Sequence, residues 1–218
     1  MLGFHLASAR TRAIRILCVG AHSDDIEIGC GGTMLRLLSE HDRAEVHWVV
    51  MGSSGERDAE ARASAERFLA KAKTKEIIVK NFRNGFFPYV GDEIKEFFEK
   101  LKMQISPDVT FTHYRNDLHQ DHRIISDLTW NTYRNHLILE YEIVKYDGDI
   151  GNPNFFVPLD EAVCHQKIGH IMDCFTTQRD KDWFTADAFL ALMRLRGVES
   201  KAATKYAEGF YCRKVVLS

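Results

Sequence analysis

Apolar residues run almost unbroken over positions 13–20, Ala-Ile-Arg-Ile-Leu-Cys-Val-Gly, a pattern that predicts a strand buried on both faces of a parallel sheet. Ser23 or Asp24 then stands where a helix cap belongs, and Gly29, Gly31 and Gly32 permit close backbone approach before an amphipathic helix over 33–39. A second strand is predicted over 45–51. Residues 56–73, rich in Ala, Glu, Arg and Lys with Phe68 and Leu69 on one side, predict a helix, and 76–80 a strand. Ile94, Phe97, Phe98 and Leu101 repeat at three to four residues in a helix over 92–104, and Pro107 separates it from a strand over 109–113. A helix over 123–136 and a strand over 141–146 complete the regular part. Beyond it come a loop over 148–158, helical segments over 161–175 and 186–195, and a closing strand over 211–217. The β-α-β-α alternation predicts an α/β fold: a doubly wound, mostly parallel sheet with helices on both faces, in a single domain over 1–218. No internal repeat, low-complexity tract or linker interrupts it.

Two acidic histidine clusters interrupt this pattern, His22-Ser23-Asp24-Asp25 after the first strand and His119-Gln120-Asp121-His122 after the strand over 109–113. Ligands of open α/β sheets gather outside the carboxyl ends of strands, so the two clusters are expected to converge on one pocket. Imidazole nitrogen and carboxylate oxygen suit a divalent cation such as zinc, and three such ligands leave a fourth position open for water. Two adjacent acids can hold different jobs, one on the cation and one in the pocket. His119 and His122 share one side of a helical turn, with Asp121 as hydrogen-bond partner to an imidazole. Taken alone, Ser23-Asp24-Asp25 also reads as an N-cap with acids favoured by the helix dipole; the second cluster argues against that reading.

Composition narrows the partners. The chain has 218 residues, 45% hydrophobic, enough for a sizeable core without staples. Lys and Arg total 29 against 31 Asp and Glu, and the formal charge of −2 gives no general attraction to nucleic acid or an anionic membrane. Five scattered cysteines without a CxxC pair suggest reduced thiols. No signal-like segment and no span of ~18 apolar residues is present, which makes a cytoplasmic location the default expectation. His5, His41, His47, His136, His165 and His170 read as surface or core residues, and His113 as packing.

Both clusters resemble the AHPDD and HxDH signatures of the PIG-L/LmbE-like superfamily of zinc-dependent N-deacetylases, standing here as Ala21-His22-Ser23-Asp24-Asp25 and His119-Gln120-Asp121-His122. Weaker likeness continues through Gly55-Glu56, residues 167–178, Arg196-Gly197 and Tyr206-Ala207-Glu208-Gly209-Phe210. The resemblance implies a Rossmann-like fold, zinc or another divalent metal held by His22, Asp25 and His122, and Asp24 as general base. It further implies that His119 polarises or protonates the tetrahedral intermediate and that Asp121 tunes His119 by hydrogen bonding. Arg62 matches a family arginine that lines a sugar pocket, and Arg115, with Asn116 and Asp117 just ahead of the second motif, is placed to meet hydroxyls or phosphate. The implied partner is a small N-acetylated sugar or glycoconjugate, with a homo-oligomer compatible. Ser23 replaces the usual proline, and Cys174 falls where the family often has histidine, so Cys174 is assigned no role.

Rival readings remain open on sequence alone. The Gly29-Cys30-Gly31-Gly32 turn suggests dinucleotide binding, but GxGxxG is absent and Asp24 and Asp25 would repel phosphate. The catalytic set would also suit an amidase acting on a thiol conjugate or antibiotic intermediate, and a non-catalytic zinc-containing glycan-binding module needs no turnover at all. Phe82, Phe86, Phe87 and Tyr89 around Asn84-Gly85 read as a sugar-stacking loop or a hydrophobic plug. Residues 152–156 and Trp183-Phe184 read as a pocket rim or a subunit contact.

Overall fold

Strands β1 (Arg15–His22), β2 (Glu45–Gly52), β3 (Thr74–Val79), β4 (Val109–His113) and β5 (Leu137–Tyr141) pair in parallel, with helices carrying the chain back between them. Strands β6 (Phe155–Leu159) and β7 (Tyr206–Cys212) extend the sheet antiparallel, giving the order β3-β2-β1-β4-β5-β7-β6. The computed structural model describes Gly3 and residues 13–216; His5, part of the leading segment and Leu217 of the predicted closing strand lie outside them.

Side chains of β1 alternate between two cores. Ile16 and Cys18 join Trp48, Phe68, Phe111 and Phe210 on one face, whereas Leu17 and Val19 join Val49, Phe98, Leu101 and Ile125 on the other. Helices α1 (Asp25–Glu40), α2 (Glu56–Phe68), α5 (Glu161–Cys174) and α6 (Ala186–Glu199) contribute to the first core. Helices α3 (Gly91–Gln104) and α4 (Gln120–Thr132) cover the second. Burial on both faces is what made the strands read as continuous apolar runs.

Several boundaries differ from expectation for identifiable reasons. Helix α1 begins at Asp25, so the glycines lie inside it rather than ahead of it. They serve packing: a Cβ at Gly29 would overlap the Tyr141 ring, and one at Gly31 would come 2.6 Å from Phe68. Asp24 is the N-cap residue but makes no side-chain cap bond. Helix α2 stops at Phe68, and α4 runs over Gln120–Thr132 rather than 123–136. Strand β5 occupies Leu137–Tyr141, not 141–146, because Leu137 to Tyr141 align with β4 while Glu142 and Lys145 leave the sheet for ionic partners. Strand β6 falls in the predicted loop; its Pro158 is tolerated because β6 is an edge strand. Strand β7 precedes the predicted position, carrying Glu208 and Gly209 inside it. Phe184 is core, and Phe155 and Phe156 belong to β6, so these residues do not form a simple rim.

Between β1 and β4 the strand order reverses, and their pairing covers only Ile16–Cys18 against Val109–Phe111. Beyond that the two strands part. On the other side β1 stays paired with β2 as far as His22 opposite Gly52. The opening at the carboxyl ends of β1 and β4 is the crevice expected at a topological switch point.

Candidate metal centre

The crevice brings both histidine clusters together. His22 ends β1, Asp25 opens α1, and His122 lies in the first turn of α4. His22 Nδ1 is 3.2 Å from His122 Nε2 and 3.3 Å from Asp25 Oδ2, and His122 Nε2 is 3.5 Å from the same oxygen. Zinc held tetrahedrally by nitrogen and oxygen at about 2.0–2.1 Å needs ligand atoms about 3.3–3.4 Å apart. The triangle of donors therefore fits a small divalent cation.

Hydrogen bonds aim the lone pairs inward. Asp121 Oδ2 accepts from His22 Nε2 at 3.1 Å and Asp117 Oδ2 accepts from His122 Nδ1 at 2.9 Å, leaving Nδ1 of the first ring and Nε2 of the second facing Asp25. Asp121 is fixed in turn by the amides of Gly85 (2.6 Å) and Phe87 (3.2 Å). Gly85 has φ +79°, a backbone conformation that favours glycine. Phe87 is the plug of the aromatic loop, buried against the His22 ring, while Phe86 and Tyr89 face outward. Ser23, in place of proline, ties the turn to the end of β2 through a 2.8 Å bond with Ser53.

Electrostatics separates the two adjacent acids. Burial raises the Asp25 pKa, but His122, His113 and His22 outweigh it and hold the carboxyl well below its ordinary range. Burial pushes Asp24 up against the opposing pull of Arg57, whose Nη2 donates to Asp24 Oδ1 at 3.0 Å. Burial lowers His22, yet Asp25 and Asp121 reverse this and raise it to about 9, so without metal a proton occupies the cluster. Asp117 is lowered because the His122 hydrogen bond, together with the charges of His122, His113 and Lys145, overcomes burial.

His119 caps α4, and its Nδ1 accepts from the Asp121 amide at 3.2 Å. Its ring stacks on His122 with centroids 4.6 Å apart. Burial and the neighbouring His122 and His22 lower its pKa, so the ring is neutral with its proton on Nε2. The Asp121 carboxylate thus orients His22 rather than His119, because α4 turns it toward the Gly85 loop.

His22, His119 and His122 offer donor atoms within 4.8 Å of one another, as do Asp25, His113 and His122. His113, expected to pack, sits inside the site, but its Nε2 already accepts the Ala21 amide at 2.9 Å and bridges the parting strands. Burial lowers it to about 4, leaving it neutral.

The expected substrate contacts are not brought together with this cluster. Arg62 is exposed and pairs with Asp58 at 3.0 Å, whereas Arg57, five residues earlier, reaches Asp24. Arg115 pairs with Asp127 at 3.4 Å on the outside of α4. Sequence reasoning missed Arg57 and the inward role of Asp117; their positions just past the carboxyl ends of β2 and β4 were the available signal. A small cavity lined by Glu142, Lys167, Arg196 and Glu208 together with apolar residues such as Phe189 and Met193 lies elsewhere and contains none of these ligands. Among the described residues no helix is long and apolar enough to cross a membrane, and the five cysteines are free.

Known proteins share this arrangement of elements. An uncharacterized deacetylase of Escherichia coli K12, YaiS, is 31% identical over 126 residues, a match spanning 54% of this chain and 66% of that protein. The fold matches N,N'-diacetylchitobiose deacetylase from Pyrococcus horikoshii with TM-score 0.69 and 22% identity over 96% of this chain and 87% of that one. It also matches GalB, the 4-carboxy-2-hydroxymuconate hydratase of Pseudomonas putida KT2440, with TM-score 0.73 and 18% identity over 94% and 98%. A deacetylase and a hydratase on one fold show that architecture alone does not choose the reaction. The GlcNAc-PI de-N-acetylase profile, in contrast, matches residues 17–133, from β1 through the end of α4 and so across both histidine clusters. By that match, which covers more than half of its length, the chain belongs to the PIG-L family of GlcNAc-PI de-N-acetylases.

Proposed function

We propose that the protein is a zinc-dependent hydrolase that removes an acetyl group from an N-acetylated sugar or sugar conjugate, releasing acetate and a free amine. The observation that carries this reading is the donor triangle of His22, Asp25 and His122 with Asp24 and His119 beside it. Family membership and a solved diacetylchitobiose deacetylase of the same fold support the sugar amide as substrate.

His22, Asp25 and His122 would hold the metal, which when bound supplies Lewis acidity toward water and the acyl carbonyl. Asp24, raised by burial, takes the proton of the attacking water. Arg57 holds that carboxylate in place and opposes the upward push of burial. Neutral His119 presents its Nε2 N–H to the carbonyl oxygen as a hydrogen-bond donor, and the proton that Asp24 took from water passes to the departing amine. Asp117 and Asp121 keep the two ligand imidazoles in the tautomers that bind metal.

The test is acetate release from acetamido sugars by zinc-loaded protein, alongside Asp24→Asn. That variant is expected to retain zinc and lose about 10²–10⁴-fold in turnover. Full activity of Asp24→Asn, or bound zinc with no hydrolysis across a broad acetamido-sugar panel, rejects the reading; the latter outcome favours a glycan-binding module.

A further inference from the structure

The segments around Lys167 and Glu208, singled out in the sequence, take no part in the site just described. Both side chains are buried and reach into helix α1. Lys167 Nζ donates to the Ile28 carbonyl at 2.6 Å and to Glu208 Oε1 at 2.6 Å. Glu208 accepts the amides of Gly32 at 2.8 Å and Thr33 at 2.6 Å through its two oxygens. In a regular helix the Gly32 amide would donate to the Ile28 carbonyl. Here the Ile28 carbonyl also accepts from Lys167 and the Gly32 amide donates to Glu208, so a salt bridge lies against that rung, one to two turns after Asp25.

Glycine makes the intrusion possible. A Cβ at Gly32 would come 2.5 Å from Leu159 Cδ1 and 2.9 Å from Glu208 Oε1. The arrangement is energetically odd, because two ions are buried against backbone groups that a helix pairs with each other, and a buried ion pair is often no more stabilising than apolar side chains of similar volume. Its return is geometric. Asp24 caps and Asp25 opens the same helix, and the wedge fixes its start to β7 and α5 from behind.

We infer that Lys167 and Glu208 are positioning residues whose paired side chains, inserted into α1, set the placement of Asp24 and Asp25 against His22 and His122. The inference rests on the proposed metal centre but not on the identity of the substrate. It separates placement of the cluster from stability of the fold.

The experiment replaces both charges at once in the full chain, Lys167→Met with Glu208→Met, so that no unpaired ion remains and the Gly32 amide and the Ile28 carbonyl keep each other as partners. Zinc affinity is read by competition with a chromophoric chelator, and stability by thermal melting of the metal-free protein. The expected result is a melting temperature at or above that of the unsubstituted protein with zinc bound about tenfold or more weakly. Turnover of an acetamido sugar should fall with little change in KM. Unchanged zinc affinity in the folded double variant overturns the inference. Should the double variant not fold, Glu208→Gln decides: it keeps the volume but only one oxygen for the two amides, and unchanged zinc affinity there overturns the inference equally. Zinc binding by the unsubstituted protein without acetate release would overturn the deacetylase reading alone.

Discussion

Helix α1 carries two groups of buried charges, and they are built on opposite terms. Near Ile28–Thr33, Lys167 and Glu208 satisfy each other and the helix backbone, so the group is closed. At the helix start, two imidazole nitrogens and a carboxylate oxygen face one another across 3.2–3.5 Å while outward hydrogen bonds hold them there. Acceptors pointed at acceptors are costly unless a cation lies between them. The difference teaches which buried polar group is architecture and which is a binding site: the site is the one whose donor atoms converge on one another instead of each closing on a partner of its own.

Breaking the open group gives the largest effect. His122→Ala removes a donor and is expected to abolish zinc binding and reduce acetate release to near the uncatalysed level, measured by metal content after dialysis and by product assay. A smaller effect comes from loosening the same group from outside. Asp117→Asn keeps all three donors but weakens the hold on His122 Nδ1, and should weaken zinc binding by about 10–100-fold in a chelator competition.

The pH dependence of the metal-free protein sharpens the contrast further. His22 is raised from 6.5 to about 9 in the folded state, so the stability it contributes is fully present below pH 6.5 and lost as pH rises through about 9. Thermal melts in chelator should therefore show a loss over this window, and His22→Gln should flatten it. Zinc competes with the same proton, so zinc affinity should rise with pH over the same range.

The smallest effect distinguishes two arginines on α2. Arg62→Ala breaks an exposed pair worth about 0.3–0.5 kcal/mol and should leave activity unchanged. Arg57→Ala frees Asp24 to rise further, and the acid limb of kcat/KM against pH should move upward. An acid limb left in place by Arg57→Ala would remove Arg57 from the site.

Legibility followed the range of the interactions involved. Strands β1, β2 and β4 were readable because burial on both faces leaves a continuous apolar run, and the two histidine motifs because each packs several ligand types into four residues at a strand end. Strand β6 was not, since Pro158 and a polar approach look like a loop until an edge position excuses them. Arg57 was missed because helical register after a strand end is not fixed by local pattern, so which α2 side chain meets Asp24 is decided only in three dimensions. His113 looked like packing because its acceptor role depends on a backbone amide 92 positions away.

By itself the sequence determined the alternating α/β plan and the two clusters that meet at its switch point, because periodicity and ligand chemistry are local properties of the chain. Tertiary structure alone decided which carboxylate serves which imidazole, sending Asp121 to His22 and Asp117 to His122, and which charges close on each other behind α1. Hydrogen bonds are short and directional, so their partners are chosen only when distant strands and helices have been brought within about 3 Å.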